Sequence, residues 1–369
     1  MIKLGIRLNL KYLLIYLSFC LVRSIDSILM TKITGLSPSL LLTLIMFLSE
    51  FISGLFAYKK DFLGIQAFRK INKKKTLPDS TFKIYLLIFA AALLDFFQFV
   101  LSTFFLPKLN EELFTFLDHN VGNMLTIIST AIFCYCLLKF HSSRHQKCSI
   151  FVISICLVTI IIEYIVFFRL KYEMLLLILM LLSMIAVQIM SSFIDVIDKY
   201  LLEYNFINPF QLLMLEGAFG ILLTSLYSFK ENPFTEFKNV RNNKNYILLV
   251  FFLIFYFILS GGVNIYRMII NKLYSPMTWT LTDSIAEPLF LIYYFFDTED
   301  VQKDFIQFIF NVIVSIIVAF SACIYNELLI LLLCGMAYDT HYEISQRSEN
   351  QESFGAVLPL EEIDSDSDD

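Results

Sequence analysis

Ten apolar runs limit what this chain can fold into. They lie near residues 12–31, 39–57, 83–106, 117–138, 149–168, 174–197, 210–229, 246–266, 277–296 and 305–325. Each is close to the roughly 20 residues that an α-helix needs to cross a hydrocarbon core of about 30 Å. No water reaches that core to satisfy backbone N–H and C=O groups, so a spanning segment is a helix or part of a closed barrel. The runs are long and unbroken and lack the alternation of a barrel strand. Composition agrees: 58% of the chain is hydrophobic and 17% charged, with a mean hydropathy of +0.72, against about 45–50% apolar residues in a soluble domain. The expected fold class is an all-α polytopic membrane protein with ten transmembrane helices. The fourth run opens on Asp118, His119, Asn120 and Asn123, so nine crossings is the alternative count.

Basic residues stay preferentially on the cytoplasmic side. With the amino terminus inside, Lys3, Arg7 and Lys11, the segment from Lys59 to Lys75, and Lys139, Arg144 and Lys147 are all cytosolic. The loop from Lys230 to Lys244, on the opposite side, carries four basic residues and weakens this bias without reversing it. Both termini are then expected in the cytosol. No small-residue cleavage site follows the first run, which reads as a retained helix. The seven cysteines form no CxxC pair, so neither a disulfide framework nor a metal site is expected. His141 and His145 are four apart but lack a third ligand and read as solvated loop residues. From Thr340 the chain turns polar and acidic, so residues 340–369 are expected to be a disordered cytosolic tail. Ser365 and Ser367 there are candidate phosphorylation sites beside the simpler reading of a solubilising tail.

The two halves repeat a series of signals. Asp26, Pro38 and Glu50-x-x-x-Gly54 are followed in the same order by Asp195, Pro209 and Glu216-x-x-x-Gly220. A third pair sets the segment from Asp118 to Leu125 beside that from Thr282 to Leu289. The offsets are 169, 166 and 164 residues. This predicts a duplicated five-helix unit, residues 1–172 and 173–339. An odd number of spans per unit inverts the second copy, and in such designs the binding site lies between the repeats near the membrane midplane.

Pro209, Gln211, Glu216, Gly217 and Gly220 in order, Asp198-Lys199 before them, and Tyr325-Asn326-Glu327 closing the tenth run resemble the drug/metabolite transporter superfamily. Within it the chain is most similar to the solute carrier 35 F-type and chloroquine-resistance-transporter-like branch. The resemblance covers nearly all ten runs, with its sharp motifs at residues 195–220 and 323–327. It implies two inverted repeats, with helices one to four and six to nine around a central cavity and five and ten outside. Two features depart from the family: no lysine-containing nucleotide-sugar motif is found late in the second repeat, and Asp118-His119-Asn120 replaces a basic residue often found early in the fourth span.

A charge at a helix centre costs about 2.5–3.5 kcal/mol on insertion scales and tends to face the bundle interior. Glu216, with Gly217 and Gly220 beside it, either hydrogen-bonds across a tight helix pair of the small-xxx-small kind or binds substrate or a proton. Glu50 with Gly54 has the same two readings. Gln188, Ser191, Asp195 and Asp198 follow at three- and four-residue steps, which puts them on one helical face, looking into a cavity. Asp198 with Lys199 reads as an interfacial ion pair. Arg23 and Asp26 are three apart and can neutralise each other. Asp95, His119, Asp283 and Glu287 complete the candidates, on spans that the resemblance places around the cavity, and Glu163 reads as structural. Pro276 suits a first helical turn and Pro288 should kink its helix. Ser260-Gly261-Gly262 is either a hinge or a close-packing point.

No HExxH, GxSxG or phosphate-binding glycine loop is present, so no enzyme, catalytic residue or cofactor is expected. The expected function is secondary transport of a small organic solute. The acidic candidates stand against Arg23 and His119 alone in this reading, which favours a cationic or zwitterionic solute with proton coupling over a nucleotide sugar; a receptor or scaffold is the other alternative. The bilayer and the solute are the expected partners, a homodimer is compatible with the sequence, and no nucleic acid is expected. An intracellular membrane (Golgi, vacuolar or lysosomal) is the expected location. The topology is testable by single cysteines placed at Asn72 and Asn243. A membrane-impermeant maleimide should label them from opposite faces, and labelling of both from one face breaks the ten-span inverted arrangement.

Overall fold

All ten apolar runs are helical in a computed structural model that describes residues 2–4, 10–34, 40–60, 81–140, 142–228, 245–297, 305–332, 335–340 and 344. A short strand β1 (Ile2–Leu4) precedes α1 (Leu10–Thr34) and α2 (Leu40–Lys60). Helix α3 (Thr81–Val100) passes through a π-helical turn (Leu101–Phe105) into α4 (Leu106–Leu109). Next come α5 (Glu111–Leu117), a second π-turn (Asp118–Gly122) and α6 (Asn123–Leu137). The second half holds α7 (Arg144–Phe168), α8 (Met174–Glu203), α9 (Pro209–Ser228), α10 (Tyr246–Leu273), α11 (Pro276–Asp297) and α12 (Phe305–Tyr325), then β2 (Leu329–Leu331). Eight of these helices are long and apolar enough to cross a membrane. Of the ten apolar runs, the fourth and the ninth, which become α5–α6 and α11, fall outside that set among the described residues. This is a multi-pass α-helical membrane protein.

The fourth crossing shows why its apolar window was short. Leu117 and Asn123, on either side of the π-turn, both have helical backbone angles, so α5, the turn and α6 form one continuous rod from 111 to 137. A π-turn inserts one extra residue without breaking the helix, and here it takes up the polar Asp118–Gly122 segment. Two expected ends also move outward. Helix α8 runs six residues beyond 197, and α10 seven beyond 266.

Helix ends follow from local chemistry. Asn208 accepts a hydrogen bond from the Phe210 N–H at 2.9 Å, and Ser275 accepts one from the Thr278 N–H at 3.1 Å. Each is followed by proline, which suits the first helical position because its missing N–H would have no helical partner there. Gln146 Oε1 accepts from the Ser143 N–H at 3.0 Å to start α7. Helix α12 stops where Glu327 takes a left-handed φ of 57°, while the Leu328 N–H reaches back to the Cys323 carbonyl at 2.9 Å and that of Glu327 to Ile324 at 3.1 Å. This pair of bonds is a Schellman closure with glutamate where glycine is usual.

Helices from the two halves interleave. Helix α2 packs on α9, α1 on α10, α6 on α8 and α7 on α12. Several contacts come in pairs related by exchanging the halves: α1 with α10 and α8 with α3, α2 with α10 and α9 with α3, α6 with α8 and α11 with α1. β1 pairs antiparallel with β2, Ile2 opposite Leu331, so the two ends of the helical array lie on one face. Outward stripes such as Phe151, Ile155, Val158, Ile162 and Val166 on α7 are exposed, as a lipid-facing surface requires.

The α2–α9 contact is made by glycines. A methyl group at Gly54 would lie 2.8 Å from the Met214 nitrogen and 3.0 Å from the Phe210 oxygen. One at Gly217 would lie 2.5 Å from the Phe51 nitrogen and 2.8 Å from the Phe47 oxygen. The backbones therefore touch reciprocally, Gly54 on one turn of α9 and Gly217 on one turn of α2. Gly220 differs, since a methyl group there would run into the ring of fully buried Phe47. Gly261 meets Ser49 and Ser53 of α2, and Gly262 the Phe19 ring of α1, so this glycine pair packs helices closely. Helix α11 continues through Pro288. The acidic tail, Ser365, Ser367, Asn72, Asn243 and most of the basic segment from Lys59 to Lys75 lie outside the described residues.

Side chains at backbone–backbone contacts have nowhere to move, and overpacking costs about 1–3 kcal/mol or more. Gly217→Ala and Gly54→Ala should each lower the yield of monodisperse protein in detergent and its melting temperature. A wild-type yield and melting temperature in both would remove the close-contact account.

Candidate functional site

Five carboxylic acids converge on one guanidinium. Arg267, on the last two turns of α10, donates from Nη2 to Asp198 Oδ2 at 3.1 Å. Its Nε lies 4.0 Å from Asp195 Oδ1, and the guanidinium stacks over the Trp279 ring of α11 at 5.5 Å. Asp195 and Asp198 are buried on α8, three residues apart, so one helical face presents both. Glu216 of α9 and Asp95 of α3 also lie within electrostatic range of Arg267, as does Glu50 of α2.

Glu50 is 3% exposed and accepts a hydrogen bond from Asn264 Nδ2 of α10 at 2.9 Å. Its Oε2 has no partner. Glu216 is close enough to Asp198 for the two carboxyls to share a hydrogen bond, while its Oε1 is unpartnered. Asp195 Oδ2 and Asp198 Oδ1 are also buried without partners. The glycine contact between α2 and α9 brings Glu50 and Glu216 here: the Glu50 Cβ is 3.0 Å from where a Gly217 Cβ would sit. These two glutamates therefore flank a tight helix pair and carry buried acceptor atoms without partners.

A second group lies across Trp279, whose indole meets Tyr16 edge-on at 6.1 Å. Arg23 faces Asp283 and the hydroxyls of Tyr16 and Tyr256, and Cys20 is within hydrogen-bonding reach of Tyr16 and Asp283. The expected Arg23–Asp26 pair is not formed. Asp26 is buried with both oxygens unpartnered, while Arg23 lies within electrostatic range of Asp283 on α11.

The Asp198–Lys199 pair is also corrected. Lys199 is fully buried and turns away from Asp198 to close the end of α10, donating to the Asn271 and Tyr274 carbonyls at 2.8 Å each and to Glu203 at 2.7 Å. Lys272 donates in return to the Leu202 carbonyl. Neighbours on a helix point about 100° apart, so adjacent residues commonly find different partners.

Gln188 sits at the α6–α8 contact, where Thr126 donates to its Oε1 at 2.6 Å. Ser192 bonds there too, to the Thr126 carbonyl at 3.0 Å, and Ser191 is partly exposed. The expected stripe thus divides, its lower half at a helix joint and its upper half at Arg267. The side chains of His119 and Glu287 lie outside the described residues, as does His141. His145 is buried at 2% exposure, with Nε2 3.5 Å from Glu327 Oε1; the first turn of α7 packs under the end of α12, which takes it out of solvent. The six described cysteines are free, and no cluster of potential metal ligands occurs among the described residues.

Sequence reasoning missed Arg267 because it ended the eighth run at the charge. Asn264, Arg267 and Asn271 follow at three- and four-residue steps and continue the helical face; that spacing was the available signal. No protein-family model matches the chain, and no curated protein matches it. The case for function rests on this geometry and on the motif resemblance.

Removing one partner of a buried ion pair costs about 3–5 kcal/mol, because the other charge stays buried. Arg267→Gln should therefore lower the melting temperature in detergent sharply, and adding Asp198→Asn should restore much of the loss. A double variant that melts as low as Arg267→Gln would show that the pair is not the reason.

Proposed function

We propose that this chain is a secondary transporter that moves a small cationic or zwitterionic organic solute by alternating access, linked to protons. The observation that carries the reading is the excess of carboxyls: Glu50, Asp95, Asp195, Asp198 and Glu216 surround Arg267, at the meeting of five helices from both halves. Burying uncompensated charge is expensive, so a membrane interior that gathers this many acids is built to hold cations, protons or both. The Glu216–Asp198 contact supports proton linkage, since two carboxyls can share a hydrogen bond only when one is protonated.

Alternating access is supported by the pairing of contacts between halves and by the reciprocal seating of Gly54 and Gly217. Such reciprocity is what two inverted five-helix repeats, residues 1–172 and 173–339, would produce. The reciprocal contacts relate Gly54 to Gly217, one turn away from the Gly220 that the sequence motif pairs with it. Membership of the drug/metabolite transporter superfamily, in the solute carrier 35 F-type and chloroquine-resistance-transporter-like branch, belongs to the same proposal and rests on residues 195–220 and 323–327. So do cytosolic termini and an intracellular membrane.

Purified full-length protein in proteoliposomes tests the reading. Uptake of basic amino acids or polyamines that rises with an outward proton gradient and falls at least about tenfold in Asp195→Asn, by loss of a transition-state or binding charge contact, is the expected result. Exchange of a nucleotide sugar for its monophosphate, indifferent to Asp195→Asn and Asp283→Asn, would replace this reading with the nucleotide-sugar one. No flux of any of these solutes by well-folded protein would leave the receptor or scaffold alternative.

A further inference from the structure

The partners of the interior cations narrow the solute further. Lys199 spends its ammonium donors on Asn271, Tyr274 and Glu203, and an ammonium has three. Lys272 is held by the Leu202 carbonyl. Arg23 faces Asp283. Arg267 lies between the Asp198 and Asp195 carboxylates at 3.1 and 4.0 Å, so an anion approaching its Nε would sit against Asp195. Each of these four cations already faces protein oxygen; Arg267 Nε makes no hydrogen bond, but Asp195 Oδ1 lies 4.0 Å from it.

The acceptors are in the opposite state. Glu50 Oε2, Asp195 Oδ2, Asp198 Oδ1 and Glu216 Oε1 are buried without partners, and the residues that carry them are all less than one-tenth exposed. The protein also demonstrates what this cluster of acids accepts. It already holds a guanidinium, over the Trp279 ring and hydrogen-bonded to a carboxylate, by the combination of ring face and carboxylate that recognises organic cations.

Resting on the transporter reading above, we infer that the solute is an organic amine or guanidine that carries no carboxylate or phosphate: a carboxylate-free cation, as distinct from a zwitterionic amino acid. Its N–H donors satisfy the free oxygens of Glu50, Glu216 and Asp195. A carboxylate on the same molecule would meet Asp95, Asp195 and Asp198, while the four interior cations described above already face protein oxygen, and like charges brought together in a buried site are strongly disfavoured.

Matched pairs separate the two solute types. Lysine and cadaverine differ only by the carboxylate, as do arginine and agmatine, and lysine amide keeps the size of lysine while removing its negative charge. Binding to the purified full-length protein is read directly, by ligand-induced thermal stabilisation and by competition against labelled cadaverine. The expected result is that cadaverine and agmatine bind about tenfold or more tighter than their amino acids, that lysine amide follows cadaverine, and that Glu216→Gln weakens the amines. Lysine binding as tightly as cadaverine, or no binding of either amine to folded protein, overturns the inference. Because binding is read without flux, amine selectivity in a protein that moves none of the five compounds would uphold the inference and defeat the transporter reading.

Discussion

The contact between α2 and α9 is what the rest of the arrangement depends on. Two helices can bring their backbones together only where side chains are absent, and Gly54 and Gly217 provide this on opposite sides of the crossing. The consequence is electrostatic as much as steric. With the backbones touching, Glu50 and Glu216 are pressed towards the same interior volume, where α8 and α10 deliver Asp195, Asp198 and Arg267. A larger residue at either glycine would separate the halves and dilute the charge cluster. Packing and chemistry therefore share the same two turns of helix.

The cluster weakens the fold that contains it. A buried ionic group seldom repays its desolvation, and apolar replacements of similar volume are often as stable or more so. Several carboxylate oxygens here lack any protein partner, which adds to that cost. The fold carries the deficit because its other regions are conventional: the large core formed by α6, α7, α8, α11 and α12 is apolar, with Ile127, Ile153, Ile160 and Tyr164 at no more than 1% exposure. The acidic centre lies beside this core on α8, whose first half packs and whose second half presents charge.

Much of the fold was readable because hydropathy over 20 residues is a strong signal. Starts were read best: α8, α10 and α12 begin at the residues where their runs begin. Ends were read less well, because a charge was taken to terminate a run. Arg267 and Lys199 are both in helix and both find partners on another helix, and a hydropathy window cannot see such a partner. The candidate site was legible in its acids, which stand out against apolar sequence, and illegible in its counter-ion. Local pairings failed for a related reason: Arg23–Asp26 and Asp198–Lys199 were inferred from spacing alone, yet long side chains in a bundle reach several neighbouring helices and can find partners there. His145 shows the same limit, since only the arrival of Glu327 from the far end of the chain buries it.

The pairing of β1 with β2 bears on how the chain is made. Residues 2–4 leave the ribosome before the helices they help to hold together, and their hydrogen-bonding partners, residues 329–331, follow only after α12. Throughout synthesis the leading strand must wait with unpaired amides while every helix is inserted, because domains form in the order of translation but this contact spans nearly the whole sequence. Closure of the strand pair thus ties residues 2–4 to residues 329–331 across the whole helical array, and it can form only once residue 331 has been made.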